Sequence, residues 1–303
     1  MREYIFYNKE QKNRFLETID KKQYSELHWE RLFEKTGERE QHYKKDLCNF
    51  TKQQAIEVLK WFGSSSYKTL NVLKLDLEKY VGWCLINTLV VDNQNHFSEL
   101  DDKVINSCVD SSKMKQMIIP KDKFIAFINS LDNYIDKYIY MALYEGISGL
   151  QLIDLLNIKM EDIDESNMTI SLSSGKVIPV SKQFINICKL ADKEEFRVTK
   201  DGRKCYLESS STIYKRRPNT TEDSHRVIQR LIRTSTIDGY SLTTKSIMNS
   251  GLINMINELA KENNCNGEDV IYNEDLFKEI HNKYNLDPYL RKRFVLEYSD
   301  FLQ

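Results

Sequence analysis

The amino-acid sequence predicts a mainly α-helical protein of two domains, the second of which carries a small β-hairpin. A chain of 303 residues is long enough for two domains of ordinary size. It contains only 10 glycines and 4 prolines, so few positions interrupt a helix. Apolar residues recur at helical spacing along most of the chain, whereas one pair of β-branched runs flanks a glycine-containing turn.

The first domain, which we assign to residues 1–110, is predicted to consist of successive helices. Thr51 and Gln54 have the spacing of a capping box at the start of one helix, and Gly63 marks its end. The segment 92–119 loses strong periodicity and gains polar residues, as connectors between domains do. This segment therefore contains the predicted domain boundary.

One helix of this domain, which begins after the serines at 64–66, has a polar stripe that includes Lys68, Asn71 and Lys74. The other side of the helix is apolar and is predicted to face the core. A polar stripe is usually a solvated surface. Its functional interpretation is DNA contact, because a serine-rich helix start followed by lysine and asparagine suits a phosphate or a base edge.

The second domain, residues 111–303, is predicted to be helical around a single hairpin. Pro120 occupies the first turn of one helix. Further on, MTISL and VIPVS flank the turn SSGK at 173–176, which predicts two antiparallel strands. The remaining sequence is amphipathic over stretches of helical length, so we expect only helices after the hairpin.

The stretch GLQLIDLLNIKMEDID at 149–164 has the composition of a helix, and its third residue is Gln151. The order of a helix, this stretch, the hairpin and further helices resembles the C-terminal domain of the tyrosine recombinases, the phage integrase family. The signature of that family reads Gly-Leu-Arg-Ile-(Ser/Asp)-Glu-Leu-Leu, followed by Leu, a basic or polar residue, Trp and an acidic end. The residues in register with it are Gly149, Leu150, Leu155, Leu156, Lys159, Asp162, Ile163 and Asp164.

The resemblance implies that Gln151 replaces the first catalytic arginine of the family. Strand cleavage places negative charge on a pentavalent phosphate, which a guanidinium group can hold by two oxygens and a neutral amide cannot. Its loss is expected to cost on the order of 10²- to 10³-fold in rate. The second basic motif aligns with Lys245 and Met248, so its arginine is also replaced. The hairpin lysine is retained as Lys176, although a solvated turn explains a lysine equally well.

Three tyrosines, Tyr272, Tyr284 and Tyr289, lie in the region of the family's nucleophile, and none has its flanking pattern clearly. The N-terminal helices are similar in layout to the core-binding domain, which implies a C-shaped clamp on a DNA duplex. The missing arginines and the length most resemble the integrase-like master repressors of SPβ-type Bacillus prophages, which bind operators without cutting them. The C-terminal helix packs on a neighbouring subunit in this family, so RKR at 291–293 is a candidate homodimer contact.

Positive charge is concentrated between residues 200 and 233. The basic residues there are Lys200, Arg203, Lys204, Lys215, Arg216, Arg217, Arg226, Arg230 and Arg233, and the acidic ones are Asp201, Glu208, Glu222 and Asp223. Unpaired charge on a solvated helix explains such a run, and so does a surface that follows a DNA backbone. The resemblance favours DNA. The predicted DNA contacts are Lys68, Asn71, Lys74, Lys176, Lys215, Arg216, Arg217, Arg226, Arg230 and Lys245.

The overall composition limits the remaining classes. With 44 basic and 45 acidic residues, the net charge neither requires nor excludes a polyanionic partner. The six cysteines, at 48, 84, 108, 188, 205 and 265, have no CxxC pairing and no histidine at zinc spacing, so we expect no metal site, disulfide framework or cofactor. No apolar run reaches the ~20 residues of a membrane span, and the first residues lack a signal-peptide core. We expect a cytoplasmic, nucleoid-associated location in a bacterial host.

We interpret the chain as a sequence-specific repressor that maintains phage lysogeny by occupying a double-stranded DNA operator. The first alternative is an active recombinase that uses Lys176, Lys245 and one of the three tyrosines. The second is a helical adaptor without a nucleic-acid role. A covalent phosphotyrosyl bond to DNA distinguishes the recombinase, and the adaptor would show no salt-sensitive DNA binding. A phage regulatory peptide or protein is a further candidate partner.

Overall fold

The computed structural model describes the chain over residues 6–19, 26–199 and 201–303. Within these ranges the protein is mainly helical and has two small antiparallel sheets, which confirms the predicted fold class. The chain divides into two compact units, of which the first ends at Met114 and the second begins at Lys115. The bounds of the predicted domains, 1–110 and 111–303, stay a prediction.

The first unit is an assembly of helices with a short 3-10 turn at Leu47–Asn49. Its helices are α1 (Lys9–Glu17), α2 (Glu26–Tyr43), α3 (Lys52–Trp61), α4 (Tyr67–Ile86) and α5 (Asp102–Ser107), and α6 (Ser111–Met117) contains the division between the units. The capping box at the start of α3 is confirmed, because the Thr51 side chain accepts from the Gln54 backbone N–H and the Gln54 side chain accepts from the Thr51 backbone N–H.

Aromatic rings form the centre of the first unit. Phe15 of α1 packs edge to face against Trp29 of α2 and Tyr80 of α4, with ring centroids 5.0 and 5.2 Å away. Phe33 of α2 approaches Tyr80 to 5.0 Å. These contacts add to the hydrophobic effect of burying large rings, and they hold three helices that are distant in sequence against one another.

The second unit surrounds a central helix with further helices and both sheets. Its helices are α7 (Lys121–Ser130), α8 (Tyr134–Tyr144), α9 (Ile153–Asn157), α10 (Lys182–Asp192), α11 (Ser224–Thr234), α12 (Thr244–Glu262), α13 (Gly267–Tyr272), α14 (Glu274–Tyr284) and α15 (Arg291–Tyr298). The central helix is α8, which is buried along most of its length and packs against α10 and α12. Tyr138 of α8 stacks on Phe184 of α10, with centroids 5.9 Å apart.

The predicted hairpin is confirmed and belongs to a three-stranded sheet. Its strands are β1 (Ile163–Asp164), β2 (Thr169–Ser171) and β3 (Val177–Pro179), all antiparallel. Ile170 and Ile178 lie opposite each other on β2 and β3 and are both fully buried. This pair anchors the hairpin to the core of the second unit.

The expectation that only helices follow the hairpin is wrong, because a second antiparallel pair is present. It consists of β4 (Phe196–Val198) and β5 (Lys204–Tyr206), with Phe196 opposite Tyr206. Each strand has three residues and contains one basic residue, so neither shows an alternating pattern long enough to be recognised. In the described ranges, no helix has both the length and the apolar character needed to cross a membrane.

Candidate nucleic-acid interface

Gln151 lies in a tight turn and not in the helix that the composition suggested. Gly149, Gln151 and Leu152 all have positive φ, at 71°, 52° and 65°, and α9 begins only at Ile153. A Cβ at Gly149 would lie 2.9 Å from the backbone nitrogen of Asp154, so the turn requires glycine there. The turn leaves the Gln151 side chain exposed.

Asp154 fastens this turn to the β-hairpin. Its buried carboxylate accepts from the Ser173 hydroxyl at 2.8 Å and from the following backbone N–H at 3.1 Å. The hairpin also carries Lys176, whose ammonium group donates to the side-chain oxygen of Asn285, the residue that ends α14. The structure therefore joins the elements that carry Gln151 and Lys176, and Lys176 is held by a neighbour within the protein.

Lys245 and Met248 lie in the first turns of α12 in different environments. Lys245 is exposed and near Glu297 of α15. Burial raises the pKa of the Glu297 carboxyl, and the positive charges of Lys245 and Arg293 oppose that change. Met248 is partly buried and packs against the core of the second unit. At the position that the sequence alone aligns with the family's second arginine, the protein therefore has apolar packing without a charge.

The three candidate tyrosines differ in accessibility. The Tyr284 hydroxyl donates to the Tyr144 carbonyl oxygen at 2.7 Å, and burial raises the pKa of this phenol well above its usual value. A Cβ on Gly251 of α12 would overlap that carbonyl oxygen and lie 2.8 Å from the Tyr284 hydroxyl. Tyr272 is 47% exposed and Tyr289 is 95% exposed. Tyr284 is therefore a structural residue, and the other two are accessible.

Several basic residues of the 200–233 segment have acidic partners close by. The ion pairs are Arg203–Asp201, Arg226–Asp223 and Arg230–Glu222, with N–O distances of 2.5, 3.6 and 2.8 Å. These exposed pairs add little to stability, but each one reduces the local positive potential.

On α11 the three arginines at 226, 230 and 233 are exposed, while Ile228 and Ile232 are buried. Lys200 lies outside the described residues.

Three consecutive basic residues, Lys215, Arg216 and Arg217, differ in exposure and in their contacts. The Lys215 ammonium group donates to the carbonyl oxygens of Asp192 and Glu194, and so satisfies the end of α10. Arg216 and Arg217 are exposed, and neither forms an ion pair with a described acidic side chain. Together with Arg230, they line a cavity of about 400 Å³. This is the place in the second unit where guanidinium groups converge.

On α4 the predicted polar stripe is only partly exposed. Lys68 is exposed, whereas the Lys74 side chain is 12% exposed and its ammonium group lies 2.6 Å from the Glu78 carboxylate. The exposed positions of the helix include Val72 and Leu75. Lys68 therefore remains the most accessible cation of the stripe, Asn71 is partly buried, and Lys74 already has an intramolecular partner.

The C-terminal helix α15 packs on its own unit. Arg291 binds both carboxylate oxygens of Glu274, at 2.6 and 3.1 Å, and its guanidinium lies 3.7 Å from the centre of the Phe277 ring. This arginine joins α15 to α14 within the same chain. The homodimer contact proposed for RKR at 291–293 stays a prediction, with Arg291 already engaged.

Two features of this region were not recognised in the sequence. Asp154 stands at the acidic position of the family signature, and its role in fastening the turn to Ser173 became visible only in the structure. The pairing of arginines with Glu222 and Asp223 also followed from the fold, because the loop before α11 returns to that helix. The i, i+3 spacing of Asp223 and Arg226 was the one local signal available.

The turn at Gly149, the hairpin and the surrounding helices define an integrase-like protein with the two-domain tyrosine-recombinase architecture. Comparison with known families assigns the protein to a narrower family. The family model described as "MrpR, C-terminal catalytic domain" matches residues 118–302, and "MrpR, N-terminal core-binding domain" matches residues 6–86. The chain belongs to the MrpR family, and the resemblance drawn from its sequence is confirmed.

Two further similarities span nearly the whole chain. The "SPbeta prophage-derived uncharacterized protein YopR" of Bacillus subtilis (strain 168) is 22% identical over 316 residues, which covers 98% of this chain and 94% of YopR. Among solved structures, the Tn1549 transposon integrase (residues 82–397), in complex with circular intermediate DNA, has a TM-score of 0.45 and 13% identity. That alignment covers 96% of this chain and 95% of the integrase chain.

Proposed function

We propose that this protein is a sequence-specific DNA-binding repressor that keeps a prophage in the lysogenic state and does not cut DNA. It would act by occupying its operator, so that bound protein excludes polymerase. The prophage setting is supported by the similarity to YopR, which is described as prophage-derived. No cofactor is part of this proposal.

The observation that carries the proposal is the absence of positive charge at Gln151 and Met248, the two positions that align with the family's arginines. Gln151 is presented on a turn that Asp154 still fastens to the hairpin, so the local fold is kept while the charge is absent. Met248 packs against the core. Phosphoryl transfer depends on fixed positive charge at the developing anion, and a repressor has no such requirement.

Exposed positive charge supports the DNA-binding part of the proposal. Arg216 and Arg217 are exposed without acidic partners among the described residues, and the α11 arginines lie on an exposed helix face. Guanidinium groups bind phosphates in a bidentate manner, and their neutralisation of phosphates makes affinity strongly dependent on salt. Lys68 offers a further cation on the first unit.

Binding to fragments of the genome that encodes the protein, at about 50 and about 200 mM salt, tests the proposal. We expect specific binding that weakens by about 10³-fold or more across this range if at least six phosphates are neutralised. Denaturing electrophoresis of the complexes should then release all of the protein from the DNA.

Each other outcome points to a different function. An adduct that survives denaturation, and that is lost in Tyr289→Phe or Tyr272→Phe, would establish an active recombinase. This alternative has support in the retained Lys176 and Lys245 and in the exposure of both tyrosines. The absence of salt-sensitive binding would favour the adaptor. Self-association and a regulatory peptide or protein partner stay predictions for the same preparation.

A further inference from the structure

Three side chains of types that bind metals converge inside the first unit. Asp46 precedes the 3-10 turn at Leu47–Asn49, Cys48 lies within that turn, and Cys84 lies near the end of α4. All three are buried, and their carboxylate and sulfur atoms lie within 4.8 Å of one another. The spacing of the cysteines along the sequence gave no sign of this cluster.

Polar groups surround the two sulfurs in an otherwise aromatic core. The Gln11 amide nitrogen lies 3.3 Å from the Cys84 sulfur, 3.6 Å from the Cys48 sulfur and 2.8 Å from the Tyr80 hydroxyl. Thiols are weak hydrogen-bond partners, so the two sulfurs are poorly satisfied here, whereas the Asp46 carboxylate accepts from the Tyr80 hydroxyl and from the Cys48 backbone N–H.

We propose that Asp46, Cys48 and Cys84 bind one soft divalent cation such as zinc. Tetrahedral zinc with bonds of about 2.3 Å to sulfur and about 2.0 Å to oxygen has ligand–ligand separations of about 3.5–4 Å. The observed cluster reaches that size with small side-chain movements. A half-turn of the Gln11 amide would bring its oxygen toward the same point and supply a fourth ligand.

The charges of the cluster suit this chemistry. Binding converts two thiols and a free divalent cation into a dithiolate complex and two released protons, so the net charge of the buried site is unchanged. The Tyr80 hydroxyl donates to the Asp46 carboxylate at 2.9 Å and orients it. The nearby Lys12 ammonium, 3.5 Å from Asp46, is itself paired with Glu40 at 2.6 Å.

Thiolate and carboxylate ligands favour zinc-like ions over magnesium or calcium, which prefer sites made only of oxygen. The bound ion would join the Leu47–Asn49 turn to α4. The first unit would therefore gain thermal stability, whether or not DNA is bound. This inference does not depend on the proposed function.

The test uses the full chain, purified with a chelator and then dialysed against zinc or cobalt. We expect one zinc per chain by elemental analysis, a thiolate-to-cobalt charge-transfer band, and a rise in Tm on the order of 5 °C with zinc. Cys48→Ser and Cys84→Ser should lose the band and the shift. Cys108→Ser is the matched control, because Cys108 is also buried in this unit but its sulfur contacts the Ile56 carbonyl.

Two outcomes would overturn the site. One is a wild-type chain that takes up no zinc and shows no change in Tm. The other is zinc uptake in Cys48→Ser and Cys84→Ser equal to that of Cys108→Ser. If the serine variants fail to fold, alkylation of the folded wild-type protein decides: zinc should protect two thiols, and equal labelling with and without zinc contradicts the proposal. A mass lower by two hydrogens in the purified wild-type chain, assigned by peptide mapping to a Cys48–Cys84 disulfide, would contradict it as well.

Discussion

The signature region around Gln151 and the arginine segment from Arg203 to Arg233 belong to the same unit but are built differently. The first has closely packed surroundings: Asp154 binds the hairpin, and elsewhere in the unit Tyr284 binds the Tyr144 carbonyl and Met248 packs against the core. In the arginine segment, Arg203, Arg226 and Arg230 are exposed and ion-paired. Arg216 and Arg217 are exposed and have no acidic partner among the described residues.

This difference separates two functions that an active recombinase must combine. Holding DNA requires exposed positive charge spread along a surface, whereas cleaving it requires charge concentrated at one phosphate. Under the proposed function, the protein would keep the first arrangement and lack the second. Substitutions of the packed residues should therefore change stability with little effect on DNA affinity, and substitutions in the arginine segment should do the reverse.

The largest effect on stability is expected for Gly251→Ala. The added methyl group would overlap the Tyr144 carbonyl oxygen and displace α8 from α12, which costs about 3 kcal/mol or more of the free energy of unfolding. Thermal or urea unfolding measures it. Gly82→Ala is the matched control in another helix, because no atom lies closer than 4.0 Å to its Cβ position. That variant should be unchanged or up to about 1 kcal/mol more stable.

The largest effect on DNA binding is expected for the double variant Arg216→Ala, Arg217→Ala. Loss of two unpaired guanidinium groups should weaken binding by on the order of 10²-fold and lower the slope of log K against log salt by about 2. Titrations at several salt concentrations measure both quantities. Arg203→Ala is the control, since Arg203 is paired with Asp201 and should have a smaller effect. Equal losses in both variants would show that exposed charge in general, and not this pair, binds DNA.

A moderate effect on stability is expected for Asp154→Ala. The variant loses the hydrogen bonds from the hairpin turn that hold the Gly149 turn in its positive-φ conformation, which should cost about 1–2 kcal/mol. Ser173→Ala, which removes one of these bonds, should cost less. Chemical unfolding of the wild type and the two variants measures these differences. A free energy of unfolding in Asp154→Ala equal to that of the wild type would mean that other contacts hold the turn.

Much of the fold followed from local pattern. The capping box at Thr51, the hairpin with Ile170 and Ile178, and the two-domain helical class each depend on residues close in sequence, and each was predicted. The second hairpin was missed because its strands are too short to show alternation. The turn at Gln151 was missed because positive φ at Gln151 and Leu152 is uncommon for residues other than glycine and has no local sequence signal.

For the candidate site, the sequence showed which residues are basic but not which of them have partners within the protein. The sequence identified Lys74, Lys215 and Arg230 as cations, but the partners of Lys215 and Arg230 come from the fold. Lys74 pairs with Glu78 on the same helix, while Lys215 ends α10 by contacting carbonyl groups more than twenty positions away. Charge spacing alone cannot distinguish such structural cations from those that remain free for a phosphate.

The smallest effect is expected for Gln151→Arg, which restores one arginine of the family signature. The position is exposed and already has positive φ, so the free energy of unfolding should change by less than about 0.5 kcal/mol. DNA affinity should rise by less than about tenfold, as expected for one added phosphate contact. No covalent adduct should form, because Met248 still leaves the phosphate without its second arginine. Denaturing electrophoresis of this variant on bound DNA checks the prediction, with Gln151→Lys as the control for added charge. An adduct in the arginine variant alone would mean that a single substitution separates this protein from an active recombinase.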